Sequence, residues 1–367
     1  MGRAVVVVGA GYAGIAAANR IAAGSDAQVT VVGPREVFVE RIRLHRLAAG
    51  SGEATVPLRT VLHPRVQHRS GLATLIGAGP GNDSPGNDSP GNDTVLLDDG
   101  STVRFDRLVY AVGSGDPDPD PDPGADGYRV DSLEDARRLH AAVAALPAGG
   151  TVAVVGGGLT GVETATELAA ARPDLAVRLV TDAEVAGGLP ARSRDRVRAR
   201  LRALGVGLRE HTRVTGTADP GADVVVWATP PAVPDLARRS GLPTDDAGRL
   251  RVDATLTALG DPRIVGAGDA ISAPPEVGFV RASCQAAIPL GNAAARTVLA
   301  GLAGRAAPAA SVVYGAQCLA LGPGAGLVQL VDTHDVPRRI AIGGRAGAAI
   351  KEQVVRHTLR AIRSRAA

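Results

Sequence analysis

Residues 5–23 read VVVVGAGYAGIAAANRIAA, and residues 152–170 read VAVVGGGLTGVETATELAA. Each stretch is a run of strand-forming residues, then a G-x-G-x-x-G turn, then an alanine-rich helical segment. A single turn of this kind also arises for packing reasons, so one copy alone is weak evidence. Two intact copies in the same register favour two dinucleotide-binding sites in one chain.

The three glycines of each turn have different tasks. The first makes the tight turn out of the strand, and the second leaves room for a pyrophosphate beside the positive end of the helix. The third lets the helix pack closely on the strand. In the two copies these residues are Gly9, Gly11 and Gly14, and Gly156, Gly158 and Gly161.

The sequence predicts an α/β fold of two Rossmann-like three-layer nucleotide-binding domains and a short C-terminal α+β segment. The elements predicted for the first unit are strands 4–8 and 28–32, a helix over 12–23 and a returning strand over 106–113. Those predicted for the second are strands 151–155 and 176–181, helices 161–171 and 191–204, and a returning strand over 222–228. A further strand leads into RIVGAGDAISA (263–273), and a helix opens near Ser283.

Bulk composition indicates an ordinary globular protein. The 367 residues are 45% hydrophobic and 21% charged, and the net charge of +3 gives no case for nucleic acid as a partner. The chain shows no signal peptide and no apolar run of the ~20 residues that a membrane span needs, so we expect a cytoplasmic protein. Two cysteines without a C-x-x-C motif exclude a dithiol relay, and no metal-binding spacing or nucleophile motif is present.

Three segments have unusual composition. PGNDSPGNDSPGNDT (80–94) predicts an extended hairpin loop, and DPDPDPDPG (116–124) predicts a semi-rigid acidic linker at a domain crossing. The tail contains short strands and a basic helix, KEQVVRHTLRAIRSR (351–365). We favour docking of this helix on its own protein over peripheral contact with a membrane.

The order of the two glycine turns and the later G-A-G-D motif resembles that of flavoproteins with two dinucleotide-binding domains, of the pyridine nucleotide-disulfide oxidoreductase type. Within this group the chain is most similar to type II NADH dehydrogenases and short actinobacterial NAD(P)/FAD-dependent oxidoreductases. The stretches that carry the resemblance are VVVVGAGYAG, FVERIRLHRLAAG, GGGLTGVETATELA, VGAGDA and CQAAIPLG.

The resemblance implies that FAD binds at the first turn and NAD(P)H at the second. Hydride would pass to flavin N5, and the electrons would then go to a quinone-like or other small acceptor. The domains implied are 1–114 and 250–306 for FAD, 115–249 for NAD(P)H, and 307–367 as the C-terminal interface and acceptor segment. Two alternatives stay open: a tailoring flavoenzyme with a small organic substrate, and a flavin-binding redox sensor with little turnover. The protein is expected to be a monomer or a homodimer.

The resemblance also assigns roles to single residues. Asp269 is similar to the aspartate that binds the flavin ribityl chain, with a helix N-cap as the alternative. Glu163 is expected at the junction of nicotinamide and flavin, with a solvated glutamate like Glu167 as the alternative. Gln285 and Lys351, the only lysine, are expected on the acceptor face. Further predicted cofactor contacts are Tyr12, Ala13, Arg35, Arg41, Arg43, His45, Ala73, Gly113, Thr160, Ala228 and Gly268.

Cys284 is predicted at the start of the flavin-facing helix, where a helix dipole can lower a thiol pKa. It is therefore either redox-active or a small core cysteine. For His45, a position near the flavin and a structural role are equally open.

Some positions depart from the family pattern. Gly33, Pro34 and Arg35 stand where an acidic residue normally binds the FAD ribose, and Glu36 is a substitute. In the second unit Asp182 favours NADH over NADPH, although Arg178 and Arg192 lie nearby in sequence. Pro289 replaces the second glutamine of the quinone-site motif, while Gln285 and Gly291 are kept.

Overall fold

The computed structural model of the chain describes residues 2–77, 93–115, 127–218, 220–230 and 232–363. The predicted acidic linker lies outside these residues, as does the predicted hairpin loop apart from its last two positions. The described residues form the predicted α/β fold, in which parallel sheets are flanked by helices.

The N-terminal unit contains the first glycine turn between its first strand and first helix. Its elements are β1 (Ala4–Val8), α1 (Tyr12–Gly24), β2 (Gln28–Val32), β3 (Val37–Val39), α2 (Leu44–Ala49), β4 (Thr55–Pro57), β5 (Val66–Arg69), β6 (Ala73–Ile76), β7 (Thr94–Leu97), β8 (Thr102–Arg104) and β9 (Arg107–Tyr110). The strand predicted over 106–113 is shorter than expected, because the chain leaves the sheet before Gly113, which has a φ of 75°.

The second unit repeats this arrangement. Its elements are β10 (Tyr128–Arg129), α3 (Leu133–Ala145), β11 (Thr151–Val155), α4 (Leu159–Ala171), β12 (Ala176–Val180), α5 (Ala191–Ala203), β13 (Gly207–Arg209), β14 (Val224–Trp227) and α6 (Leu236–Arg239). In the described residues its parallel sheet has the order β10–β14–β11–β12–β13. The helix begins directly after Gly158, two residues earlier than predicted, because the turn closes at the second glycine.

The chain then returns to the first sheet. The returning elements are β15 (Leu250–Arg251), β16 (Ile264–Gly266), β17 (Ile271–Ser272) and α7 (Cys284–Leu302). Strand β16 pairs with β9, so the first sheet, as far as it is described, has the order β16–β9–β1–β2–β5. The G-A-G-D motif therefore follows a strand that ends beside the first glycine turn.

Helix α7 crosses α1 at very short distance. A Cβ atom on Gly291 would lie 2.2 Å from the backbone oxygen of Ala13. Only glycine permits this approach, and the crossing holds the N-terminal end of α7 next to the first glycine turn.

The C-terminal segment is a small antiparallel sheet and one long helix, as predicted. Its elements are β18 (Ala316–Ala320), β19 (Gly326–Val331), β20 (Pro337–Gly343) and α8 (Gly344–Arg363). Helix α8 begins seven residues before the predicted basic helix, because Gly347 in its first turn packs directly on β19. A Cβ there would lie 2.5 Å from the Gly326 carbonyl oxygen. Among the helices of the described ranges, none is both long enough and apolar enough to span a membrane.

Asn19 fastens the end of α8 to the N-terminal unit. Its fully buried side chain donates to the carbonyl oxygens of Val61 at 2.7 Å and Ile362 at 2.9 Å, and accepts from the His63 N–H at 2.7 Å. Carbonyls in the last turn of a helix have no intrahelical partner, so Asn19 satisfies one of them from outside.

Candidate functional site

The first glycine of each turn is required by the backbone. Gly9 has a φ of 112° and Gly156 a φ of 123°, a region that residues with a Cβ rarely adopt. A Cβ would lie 2.2 Å from the Ala111 oxygen in the first turn and 2.6 Å from the Ala228 oxygen in the second. Each turn is therefore pressed against the neighbouring strand's end.

The third glycines, Gly14 and Gly161, lie beneath the turns. In both, an added Cβ would lie 1.9 Å from the carbonyl oxygen of the first glycine of the same turn. The helix can therefore start close to the strand only because these residues have no side chain.

The second glycines face open space. A Cβ added to Gly11 or to Gly158 would meet no atom within 4 Å. Both residues are the N-caps of their helices, α1 and α4, and neither helix start has a side-chain hydrogen bond. Unpartnered N–H groups at an open helix start are suited to a diphosphate, so both turns fit the dinucleotides that the sequence predicts.

Both turns open into one cleft of about 1770 Å³. Single ligand pockets measure roughly 300–1,000 Å³, so this cleft can hold more than one ligand. It brings together most of the predicted site residues: Gly9, Gly11, Tyr12, Ala13, Arg35, Arg41, His45, Ala73, Gly113, Gly156, Gly158, Thr160, Glu163, Asp182, Ala228, Gly268, Asp269, Cys284, Gln285 and Lys351.

Arg43 is placed differently from the prediction. It does not line the cleft; its Nη2 donates to Glu352 at 3.1 Å, and its Nε lies 3.4 Å from Glu40. Glu352 also accepts from Arg46 at 3.1 Å. The guanidinium of Arg43, in the turn just before α2, thus contacts α8 instead of lining the cleft.

The centre of the cleft contains a buried ion pair between α4 and α8. The Nζ of Lys351 lies 3.0 Å from Oε1 of Glu163 and donates to the Cys318 carbonyl oxygen at 3.0 Å. The same Glu163 oxygen accepts from the Ala320 N–H at 2.8 Å. Glu163 is therefore not a solvated glutamate, and Glu167, offered as its surface analogue, is buried as well.

The pair stabilises both charges. Burial alone raises the pKa of Glu163, but Lys351 and His45, with the Ala320 N–H, hold that pKa below its usual range. Burial alone lowers the pKa of Lys351, yet the Glu163 carboxylate reverses this and raises it above its usual range. The cleft thus contains a permanent carboxylate–ammonium pair.

Both cysteines line the cleft and are free. Burial raises the pKa of the Cys284 thiol, which favours the interpretation of this residue as a small core cysteine over a redox-active one. Burial raises the pKa of Cys318 too. Such thiols stay protonated, as core cysteines do. In the described part of the chain no group of three or more His, Cys, Asp or Glu residues could hold a metal ion.

Asp269 lies in a hydrogen-bonded chain at the domain crossing. Its Oδ2 accepts from Oγ of Ser114 at 2.9 Å, and Arg41 Nη1 donates to the Ser114 carbonyl oxygen at 2.9 Å. Asp269 is not a helix N-cap, because Ser283 caps the next helix, α7. Sequence reasoning missed Ser114, whose only signal is its position between two glycines with positive φ.

The two ends of the cleft, beside the first and the second glycine turn, differ in charge. At the first, Arg35 forms a bidentate pair with Glu134 of α3, while Glu36 is exposed and outside the cleft. At the second, Asp182 is exposed and makes no ion pair with any described residue. Arg178 donates instead to the Gly221 carbonyl oxygen.

The predicted acceptor face is polar. Gln285 Oε1 accepts from Arg281 Nη2 at 3.4 Å, and Arg281 Nη1 pairs with Asp335 at 2.8 Å. Arg281 and Gln317 also line the cleft. Sequence reasoning missed both, since neither belongs to a motif. Arg281 lies just before α7, and the fold brings Gln317 of β18 into the same cleft.

Two Rossmann-like units that share one cleft define a dinucleotide-dependent oxidoreductase with the fold of the two-domain flavoproteins. Residues 3–296 match the family model described as pyridine nucleotide-disulphide oxidoreductase, and the chain belongs to this family. In contrast to the family's name, the two cysteines here form no disulfide.

Relatives agree with this placement. The chain is 29% identical over 330 residues to an NADH dehydrogenase-like protein of Mycobacterium tuberculosis, and covers 80% of each chain. It is 29% identical over 199 residues to the demethylphylloquinone reductase of Synechocystis, covering 48% of this chain and 49% of the relative. Among solved structures it resembles NDH2 of Plasmodium falciparum, determined in complex with NADH. That match has a TM-score of 0.75 at 14% identity and covers 100% of this chain and 97% of the other.

Proposed function

We propose that this protein is an FAD-dependent oxidoreductase that takes hydride from NAD(P)H, with NADH favoured, and passes electrons to a quinone-like or other small acceptor. The observation that carries the proposal is a single cleft that joins two open glycine turns to a buried Glu163–Lys351 pair. When bound, the flavin supplies the hydride and electron chemistry, and the protein supplies binding, orientation and electrostatics.

The FAD site is proposed at the first glycine turn. The open α1 N-terminus at Gly11 suits the diphosphate, and the chain formed by Arg41, Ser114 and Asp269 suits the ribityl hydroxyls. Tyr12 supports an occupant here, because its buried hydroxyl has no hydrogen-bond partner among the described residues. We propose that Arg35 and Glu134 flank the adenosine end.

The donor site is proposed at the second turn. The α4 N-terminus at Gly158 suits the diphosphate of NADH, and Thr160 lines the same part of the cleft. The carboxylate of Asp182, which has no ion-pair partner among the described residues, suits the ribose hydroxyls of NADH and repels the extra phosphate of NADPH. This supports the preference for NADH.

The acceptor is proposed to bind beside α7. Gln285, with the neighbouring Arg281, offers hydrogen-bonding groups, and Lys351, paired with Glu163, lies in the same cleft. The demethylphylloquinone reductase among the relatives supports a quinone-like acceptor. We propose a cytoplasmic protein, either monomer or homodimer, with no nucleic-acid partner.

An anaerobic titration of the purified protein tests the proposal. NADH should bleach the absorbance of bound flavin at a lower concentration than NADPH, and a quinone should restore the absorbance. A protein that retains flavin but is reduced by neither nucleotide would contradict the donor assignment. Reduction without reoxidation by any acceptor would favour a redox sensor.

A further inference from the structure

His45 is a buried histidine with an unused ring nitrogen. Its side chain is 5% exposed, it lies on α2, and it lines the cleft. Among the described residues its Nε2 atom has no hydrogen-bond partner. Buried polar atoms are normally paired, so this nitrogen calls for a functional explanation.

The charges that face His45 come from three helices. Nδ1 lies 4.0 Å from Oε2 of Glu163, and Glu167 on the same helix, Lys351 on α8 and Arg46 on α2 also act on the ring. Glu167 accepts a hydrogen bond from Ser51 at 2.5 Å. Two carboxylates and two cations cancel, so a neutral imidazole leaves the cluster without net charge.

Burial is the largest influence on the ring and lowers the pKa of His45. Glu163 and Glu167 oppose that shift, whereas Lys351 and Arg46 add to it. The ring is therefore neutral at neutral pH. Because the Glu163 carboxylate faces Nδ1, the tautomer with its proton on Nδ1 is favoured, which leaves the lone pair of Nε2 free.

We propose that His45 takes up a proton at Nε2 when the group bound in the cleft accepts electrons. The inference rests on the proposed function, because it needs a redox group in this cleft. Added negative charge acts strongly on a buried ring, and the cluster has no net positive charge to oppose it. A neutral imidazole with a free lone pair is the group that can respond.

The proton has a use in the reaction. Reduction of an acceptor A follows NADH + H⁺ + A → NAD⁺ + AH₂, so hydride supplies one hydrogen and two electrons, and a second proton is required. When the acceptor is reduced, the Nε2–H bond of His45 breaks, its electron pair stays on the ring, and the proton joins the acceptor. The ring is then neutral again, and at the next reduction Nε2 takes up a new proton from water. His45 thus acts as the proton-holding residue of the site.

Spectroelectrochemistry of the flavin-loaded protein tests this inference without donor or acceptor. The slope of midpoint potential against pH gives the number of protons bound per two electrons. The relevant pH range lies between the ring pKa in the oxidised protein and the ring pKa in the reduced protein. In this range wild-type protein should bind about one proton more per two electrons than His45→Gln. Glutamine keeps a polar side chain but cannot titrate. His334→Asn, an exposed histidine outside the cleft, should match wild type.

An NMR titration of the His45 ring provides a second measurement that needs no variant at this position. The ring pKa should rise when the protein is photoreduced, fall in Glu163→Gln and rise in Lys351→Met. Equal proton counts in wild type and His45→Gln, or a ring that does not respond to reduction, would overturn the inference. Failure of NADH to reduce the protein would instead refute the proposed donor site, since electrochemical reduction does not use it.

Discussion

At the scale of single residues, Gly11 and Gly158 allow the two nucleotide sites to be separated. Their φ values, −87° and −68°, are accessible to any residue, and both face open space. A valine at either position should therefore fold normally while blocking a diphosphate. We expect Gly11→Val to be purified without flavin, and Gly158→Val to keep flavin but lose reduction by NADH.

Absorbance spectra and stopped-flow reduction measure these two losses, and each variant is the control for the other. If folded Gly11→Val retained full flavin occupancy, the first turn would not be the flavin site. Gly14 is unsuitable for the test, because a side chain there would collide with the turn itself.

Because of the Glu163–Lys351 pair, we expect the free energy of unfolding to depend on pH. Breaking a buried pair by a single change costs about 3–5 kcal/mol, so Glu163→Gln should cost that much near neutral pH. Folding lowers the pKa of Glu163, so the stabilisation by its carboxylate is fully present above the unfolded pKa of about 4.3. This stabilisation is lost as the pH falls through the pKa that Glu163 has in the folded protein. Folding raises the pKa of Lys351, so the stabilisation by its ammonium group is fully present below the unfolded pKa of about 10.4. This stabilisation is lost as the pH rises through the pKa that Lys351 has in the folded protein.

Urea unfolding of wild type, Glu163→Gln and the double variant Glu163→Gln/Lys351→Met across this range measures the effect. The double variant should lose less than the single variant, because it leaves no unpaired buried charge. If Glu163→Gln lowered the free energy of unfolding by the same amount at acid and at neutral pH, the ion pair would not be the source of this stability.

At the scale of elements, the crossing of α1 and α7 at Gly291 should be intolerant of any side chain. Gly291→Ala places a Cβ against the rigid backbone of Ala13, and should destabilise the protein by about 1–3 kcal/mol or more. Gly301→Ala on the same helix meets only the flexible end of Arg107, and should be neutral or stabilising by up to about 1 kcal/mol. Chemical denaturation measures the free energy of unfolding of both variants. Similar values for Gly291→Ala and Gly301→Ala would mean that α7 can shift away from α1.

The positions of the helices and strands show how much of the fold could be predicted from the sequence. Both glycine turns and their strands follow local patterns, and these were predicted to within a few residues. The return of the chain toward the first unit came from the family resemblance, since no local pattern shows which sheet β16 joins. The early start of α8 was not, because it depends on the contact of Gly347 with Gly326, which no local pattern contains. The pairing of Lys351 with Glu163 and the use of Arg43 to hold α8 are likewise decided by tertiary packing.

At the scale of the whole molecule, Asn19 joins the C-terminal helix to the N-terminal unit. Asn19→Leu should remove three hydrogen bonds and leave buried backbone groups unpaired, at a cost of about 2–4 kcal/mol. Hydrogen exchange should become faster in the last turn of α8 and near His63, while α4 stays protected. Uniformly faster exchange would instead show that the helix and the two units unfold together.

The distance in sequence between Glu163 on α4 and Lys351 on α8 has a consequence for biosynthesis. The ribosome releases Glu163 with the second unit, long before α8 has been translated. Until then this carboxylate has no ammonium partner, so the nascent chain can complete both glycine turns but not the centre of the cleft. The Glu163–Lys351 pair can therefore form only after α8 has been translated, and a polypeptide interrupted before α8 would contain both glycine turns and a Glu163 carboxylate without its ammonium partner.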